Sequence, residues 1–310
     1  MLKQTNCIKE EYSLNTLTLQ ADAGESFLVK MIYDIPYTGS TFLIARVDRK
    51  TVGAWRLSGR TGNHLGYPYR WHLHKNLMAS MAGQGINVSI PVAEGQTLTL
   101  YHIGQYDHVV VIFDRYDAGD IRADMPNGTE AKEYVFVQYM DAATAPSASG
   151  DVLLDKSLSP AEFPDFPCGK VVPPRTKIDF LGLVGSPFVD MDAAADYMTT
   201  DYVKLIKERE VLFDEDRNGI PFRSASKGEV GTFYDCTLSL IGACVSVDPN
   251  NNDANASTPA YQEPLYFDQP LHFESGEELG ISIAVRIAGS GTTLPDDTID
   301  LAAILRVITE

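Results

Sequence analysis

Apolar and polar positions alternate along much of this chain, and a period of two is the mark of a strand with one buried face. In the first half the alternation predicts strands over 16–19, 26–33, 41–47, 51–57, 86–91, 97–103, 108–113 and 133–139. In the second half it predicts them over 177–184, 232–247, 265–273, 279–287 and 299–308. Gly, Asp, Asn and Pro separate the segments, and short strands so spaced suit a sandwich or jelly roll better than an alternating βαβ scheme. Two stretches depart from the pattern. Residues 67–82 read as a helix or an ordered insertion, and 191–211, with Ala193, Ala194, Ala195 and the charged run 204–210, reads as helical.

A glycine followed by alternating apolar residues occurs three times: Gly24-Glu25-Ser26-Phe27-Leu28-Val29, Gly95-Gln96-Thr97-Leu98-Thr99-Leu100 and Gly276-Glu277-Glu278-Leu279-Gly280-Ile281. The glycine supplies the positive φ that a tight turn before a strand often needs. The second and third copies agree further upstream, where Ile90 and Val92 correspond to Leu271 and Phe273 at the same offset of 181 residues. Two β-sandwich halves follow, although three ordinary turn-to-strand junctions would leave the same trace. The small, uncharged stretch 142–150 suits a connection, and the prolines from Pro160 to Pro174 suit an extended segment lying over a surface. The expected organisation is an N-terminal sandwich over 1–145, a linker and proline-rich segment over 146–175, and a C-terminal sandwich over 176–310. The fold class is all-β, with two jelly-roll-like sandwich domains carrying helical or loop insertions.

Length and charge sharpen this picture. A chain of 310 residues exceeds one comfortable core, and 44% hydrophobic residues are enough to fill two. The formal charge of −17 repels phosphate backbones and anionic membrane surfaces, so direct nucleic-acid binding is not expected. The start, from Met1 to Cys7, lacks the apolar core of a secretory signal, so a cytoplasmic product or an already mature chain is expected. Cys7, Cys168, Cys236 and Cys244 show no metal-binding spacing and read as free thiols.

Few patterns point to chemistry. Asp214, Asp216 and Asn218 precede Gly219 and Ile220 in the spacing of the first half of a calcium loop, where alternate oxygen ligands converge on a hard cation. Calcium is therefore the candidate ion, and no cofactor is required. The twelfth position holds Ala225 rather than a bidentate acid, and a hairpin turning at Asn218-Gly219 between 211–213 and 220–222 is the competing reading. Tyr67, Tyr69, Arg70 and Trp71 have the composition of an interface hot spot and also suit stacking against sugar rings, as does Trp55. His72 and His74 lack evident further ligands nearby, and acids such as Asp114, Asp117, Asp120 and Asp124 read as a solvated face. No nucleophile motif, phosphate loop or dinucleotide fingerprint is found.

Two β-rich halves with long insertions, over 63–85 and 191–228, and no catalytic signature resemble the double jelly-roll coat proteins of icosahedral, often membrane-containing, viruses and bacteriophages. The resemblance is one of architecture over the whole chain. It implies a non-enzymatic virion protein, made in the host cytoplasm, whose partners are itself, as a homotrimer or larger assembly, and other virion proteins. The acidic charge departs from what a shell facing DNA directly would carry, so an intervening membrane, a separate basic protein or an outer decoration role is expected, with any contact to an internal membrane made only through other proteins. Two other classes fit the composition: a carbohydrate-binding phage adhesin and a polysaccharide-degrading β-sandwich enzyme.

Overall fold

The computed structural model describes residues 1–12, 16–35, 42–56, 77–103, 108–144, 148–159, 162–168, 171–186, 197–213, 219–225, 238–239, 264–288 and 300–310. The chain forms two compact units, Met1–Val137 with Leu305–Glu310, and Gln138–Ile304. Unit 1 contains β1 (Leu2–Glu11), β2 (Thr16–Gln20), β3 (Glu25–Ile35), β4 (Phe42–Val47), β5 (Lys50–Arg56), α1 (Leu77–Gly83), β6 (Ile90–Val92), β7 (Thr97–Ile103) and β8 (His108–Asp117). Its two sheets have the orders β1-β8-β3-β6 and β2-β7-β4-β5. The antiparallel pairs β1·β8, β2·β7, β3·β6 and β4·β5 describe one long ribbon of strands folded back on itself. The further pairs β3·β8 and β4·β7 roll that ribbon into two layers. This is the jelly roll. Leu17, Phe27, Val29, Leu43, Leu100 and Val111 are among the buried residues of its core.

The remaining strands are β9 (Glu133–Asp141), β10 (Gly150–Leu153), β11 (Lys156–Ser157), β12 (Thr176–Ser186), β13 (Tyr197–Lys207), β14 (Glu210–Val211), β15 (Ile220–Ala225), β16 (Leu238–Ser239), β17 (Leu265–Phe273), β18 (Leu279–Ala288) and β19 (Asp300–Thr309). Their sheets run β11-β9-β19-β12-β17 and β10-β18-β13-β15-β16, with β14 also on β13. Without the added edge strands β11 and β16, the orders β9-β19-β12-β17 and β10-β18-β13-β15 repeat those of unit 1 term by term.

The repeat extends to register. Phe27 faces Val92 and Val29 faces Ile90 in unit 1, while Ile178 faces Phe273 and Phe180 faces Leu271 in unit 2. Gly95 and Gly276 sit at φ 80° and 88° in turns closed by Gln96 N–H to Ala93 O at 2.9 Å and Glu277 N–H to Glu274 O at 3.0 Å. Each glycine N–H also donates outside the hairpin, to Ala21 O in one unit and Val172 O in the other. The 181-residue offset is therefore the same hairpin in two jelly rolls. The Gly24 copy is a different corner, between β2 and β3. In the same corner of the second roll, Arg175 takes a φ of 58° directly before β12, where Gly24 takes 84° before β3.

At the residue after the glycine, the two equivalent turns differ in a titratable group, Gln96 against Glu277. Gln96 Oε1 accepts the Ala93 N–H at 3.0 Å, and Glu277 Oε2 accepts the Glu274 N–H at 2.8 Å. That backbone bond, aided by Lys207, holds the Glu277 carboxyl below its usual range. A lowered folded value means that the turn's contribution is present above the unfolded carboxyl pKa and lost as pH falls through the folded one. Glu277→Gln is expected to keep the turn, as Gln96 does, and to remove this acid sensitivity. Urea titrations of both proteins at neutral and acidic pH test this, and an unchanged pH dependence in the variant would refute it.

Several expectations are corrected. The stretch 191–211 was expected to be helical, yet Tyr197–Lys207 is β13. Val203 and Leu205 are buried at alternate positions, and pairing to β18 on one side and β15 on the other overrides the helix-forming Lys and Glu. In the segment expected to connect the halves, Gly150–Leu153 and Lys156–Ser157 are strands, because sheet edges formed elsewhere in the chain accept them. The strand expected over 86–91 is confined to Ile90–Val92. Ile220 pairs with Val203 of β13, not with 211–213, so the competing hairpin does not form. A strand over 2–11 was not expected at all. Of the expected insertion over 67–82, the described part is α1, which buries Leu77, Met78 and Met81.

Candidate interface surface

The outward face of the sheet β1-β8-β3-β6 is where unit 1 leaves apolar side chains uncovered. Phe27, Val29, Val111 and Phe113 point into the core. A register break between Val29 and Met31 makes Lys30 an extra residue, so Ile32 is buried and Met31 and Tyr33 turn outward. Ile8, Ile112 and Met31 then form one cross-strand row, and Glu10, Val110 and Tyr33 the next. Ile8 is 67% exposed and Tyr33 40%, the ordinary range of polar surface residues. Beyond β1, the exposed Tyr12 stacks on His108 with ring centroids 3.7 Å apart, and the His108 ring also lies 3.4 Å from Glu10.

A polar cluster lies on this face. Asn6, at φ 53°, donates its N–H to Asp114 Oδ1 at 2.8 Å, and Lys30 Nζ lies 2.9 Å from both Asp114 Oδ1 and Asn6 Oδ1. Asp114 is buried by this pairing, so it does not belong to a solvated acidic face. Next to the cluster a groove of about 540 Å³ opens against the chain that follows α1, with Lys30, Met31, Tyr33, Ala82, Ile86 and Ile112 among its lining. Among the described residues, Lys30 is its single charged lining residue.

The equivalent strand of the second jelly roll is treated differently. Residues 136–141 of β9 are all buried, and β11 lies on its edge, whereas most of β1 is exposed on both faces and ends its sheet. Gln138, inside β9, donates to Ser157 Oγ and to Cys168 Sγ at 3.7 Å. Burial pushes the Cys168 thiol up to about 12, so it is a packing group rather than a nucleophile.

Tyr67, Tyr69, Arg70, Trp71, Asp214, Asp216 and Asn218 lie outside the described residues, as do Cys236 and Cys244. Trp55 is described and is no stacking platform: it is buried, with its ring over Gly53, where an added Cβ would stand 2.3 Å from the ring. Among the described residues no group of three or more His, Cys, Asp or Glu side chains is placed to hold a metal ion, and no helix is long and apolar enough to cross a membrane. Ile8, Met31, Tyr33 and Ile112 carried no sequence signal as surface residues, since 27–32 reads as a nearly unbroken apolar run.

No protein-family model matches this chain, and no curated protein does. A solved structure of N-glycanase F (PNGase F) is similar over 98% of this chain and 89% of its own, with 12% identity and a TM-score of 0.23. A likeness at that level supports no argument about activity.

Proposed function

We propose that this chain is a structural protein of a virion, a coat subunit that assembles with copies of itself and catalyses no reaction. The observation that supports the reading is the tandem of two jelly rolls with one strand order, of which unit 1 leaves its first sheet open and apolar outward. Rigid sandwiches of this kind present loops and faces in fixed geometry, and burial of symmetric contacts is the work of a shell subunit. Copies carrying a formal charge of −17 repel one another, so association relies on apolar area and on cations that screen the carboxylates. Calcium at Asp214 and Asp216 is the proposed route.

Light scattering of the purified chain, with and without millimolar calcium, tests this. Discrete trimers or larger shells are expected, and Ile8→Lys is expected to weaken association by about tenfold or more while leaving the unfolding temperature unchanged. A monomer under every condition would overturn the proposal. Loss of the calcium effect in Asp214→Asn would tie that effect to the acidic loop.

A further inference from the structure

We propose that Phe213 of one copy seats in the groove beside Lys30 of a neighbouring copy, so that a knob on unit 2 and a hole on unit 1 join subunits head to tail. This contact rests on the self-assembly reading above. Phe213 is 57% exposed, unusual for a phenylalanine held in a defined place. Its ring stacks on Phe267 at 5.2 Å, and Phe267 stacks on the fully buried Phe180 at 5.6 Å. The preceding Leu212 N–H donates to Leu205 O at 2.8 Å. Phe213 also has φ 65°, a conformation that a bulky side chain adopts only where its surroundings enforce it. An aromatic ring ordered in this way loses little further freedom on binding and makes a good anchor.

The groove suits it in size and charge. At about 540 Å³ it lies in the range of sites that enclose a small group, and Met31, Tyr33 and Ile112 give it an apolar wall. Its one charged lining residue among those described is a lysine, on a chain with 25 Lys and Arg against 42 Asp and Glu. Two of the three Lys30 ammonium hydrogens are used by Asn6 and Asp114, which leaves one for an incoming carboxylate. The knob carries exposed Glu210 and Asp268, the latter adjacent to Phe267. Because knob and hole are different surfaces, the contact is heterologous and builds a ring or lattice rather than an isologous pair.

A double-mutant cycle read by sedimentation velocity tests the contact. Phe213→Ala and Tyr33→Ala are each expected to weaken association at least about tenfold, and the double variant is expected to be no worse than the weaker single, because the two side chains meet each other. Both residues are exposed, so unfolding temperatures close to that of the native chain serve as the folding control, and Phe213→Trp is expected to retain association. If the native chain assembles but Phe213→Ala does so equally well, or the two losses simply multiply, the knob-and-hole contact is overturned and the coat reading stands. If the native chain remains monomeric at every concentration, both fall.

Discussion

Phe273→Ala is expected to destabilise unit 2 by about 3–5 kcal/mol, the usual cost of emptying a buried phenylalanine site. Phe273 is 1% exposed and ends β17, opposite Ile178 of β12. Its ring meets Phe166 at 5.1 Å in a tilted geometry, and the Lys207 ammonium lies 4.5 Å over its face. Truncation therefore opens a cavity, removes an aromatic pair and strips a cation of its π partner. Lys207 also lies 3.4 Å from Glu277, so the turn that follows β17 loosens as well. Phe273→Leu keeps most of the volume and is expected to cost less than about 1.5 kcal/mol. Urea midpoints of the two variants separate the outcomes; near-equal values would show that volume is not what this site needs.

Gly182→Ala is the second large effect, from overpacking rather than a cavity. A Cβ at Gly182 would stand 2.2 Å from the Leu265 carbonyl oxygen and 3.1 Å from the Tyr266 Cα, and backbone atoms in a paired strand cannot swing aside as a side chain can. Gly182 faces Tyr266 while Phe180 faces Leu271, so residues 267–270 of β17 form a bulge opposite Leu181. Pro270, which has no N–H to donate, is tolerated in that bulge. The expected cost is about 1–3 kcal/mol, at the upper end because both strands must shift. Phe267 lies in the bulge and carries Phe213, so weaker association is expected alongside the loss of stability. A urea midpoint equal to that of the native chain would show that the β12·β17 bulge has slack.

Much of the β architecture was legible from residue order. Where one face of a strand is buried and the other wet, as in Thr16–Gln20 with Leu17 and Leu19 inward, the period of two is written into the residues. The hairpins at Gly95 and Gly276 were legible for a similar reason, since their positive φ calls for glycine and the alternation begins just after it. The corner at Arg175 was not, because an arginine there takes the left-handed conformation without announcing it.

The candidate surface was far less legible. β1 alternates nothing: with Lys3, Gln4, Thr5 and Asn6 on its first half it reads as a polar tail, and it becomes a strand because β8 offers it a free edge. Met31 and Tyr33 reach the surface because the extra residue Lys30 shifts the parity of β3, and the cause lies in the partner's register. Likewise Tyr197–Lys207 carries helix-forming residues but is held as a strand by β18 on one side and by β15 and β14 on the other. By itself the sequence determined that this protein is β-rich and acidic, because glycine turns and one-sided burial are local constraints, and it left a duplication and three ordinary turn-to-strand junctions equally open. Only the tertiary structure decided which strands pair, which face stays open and which aromatics are buried, because those follow from edges and registers set by residues distant along the chain.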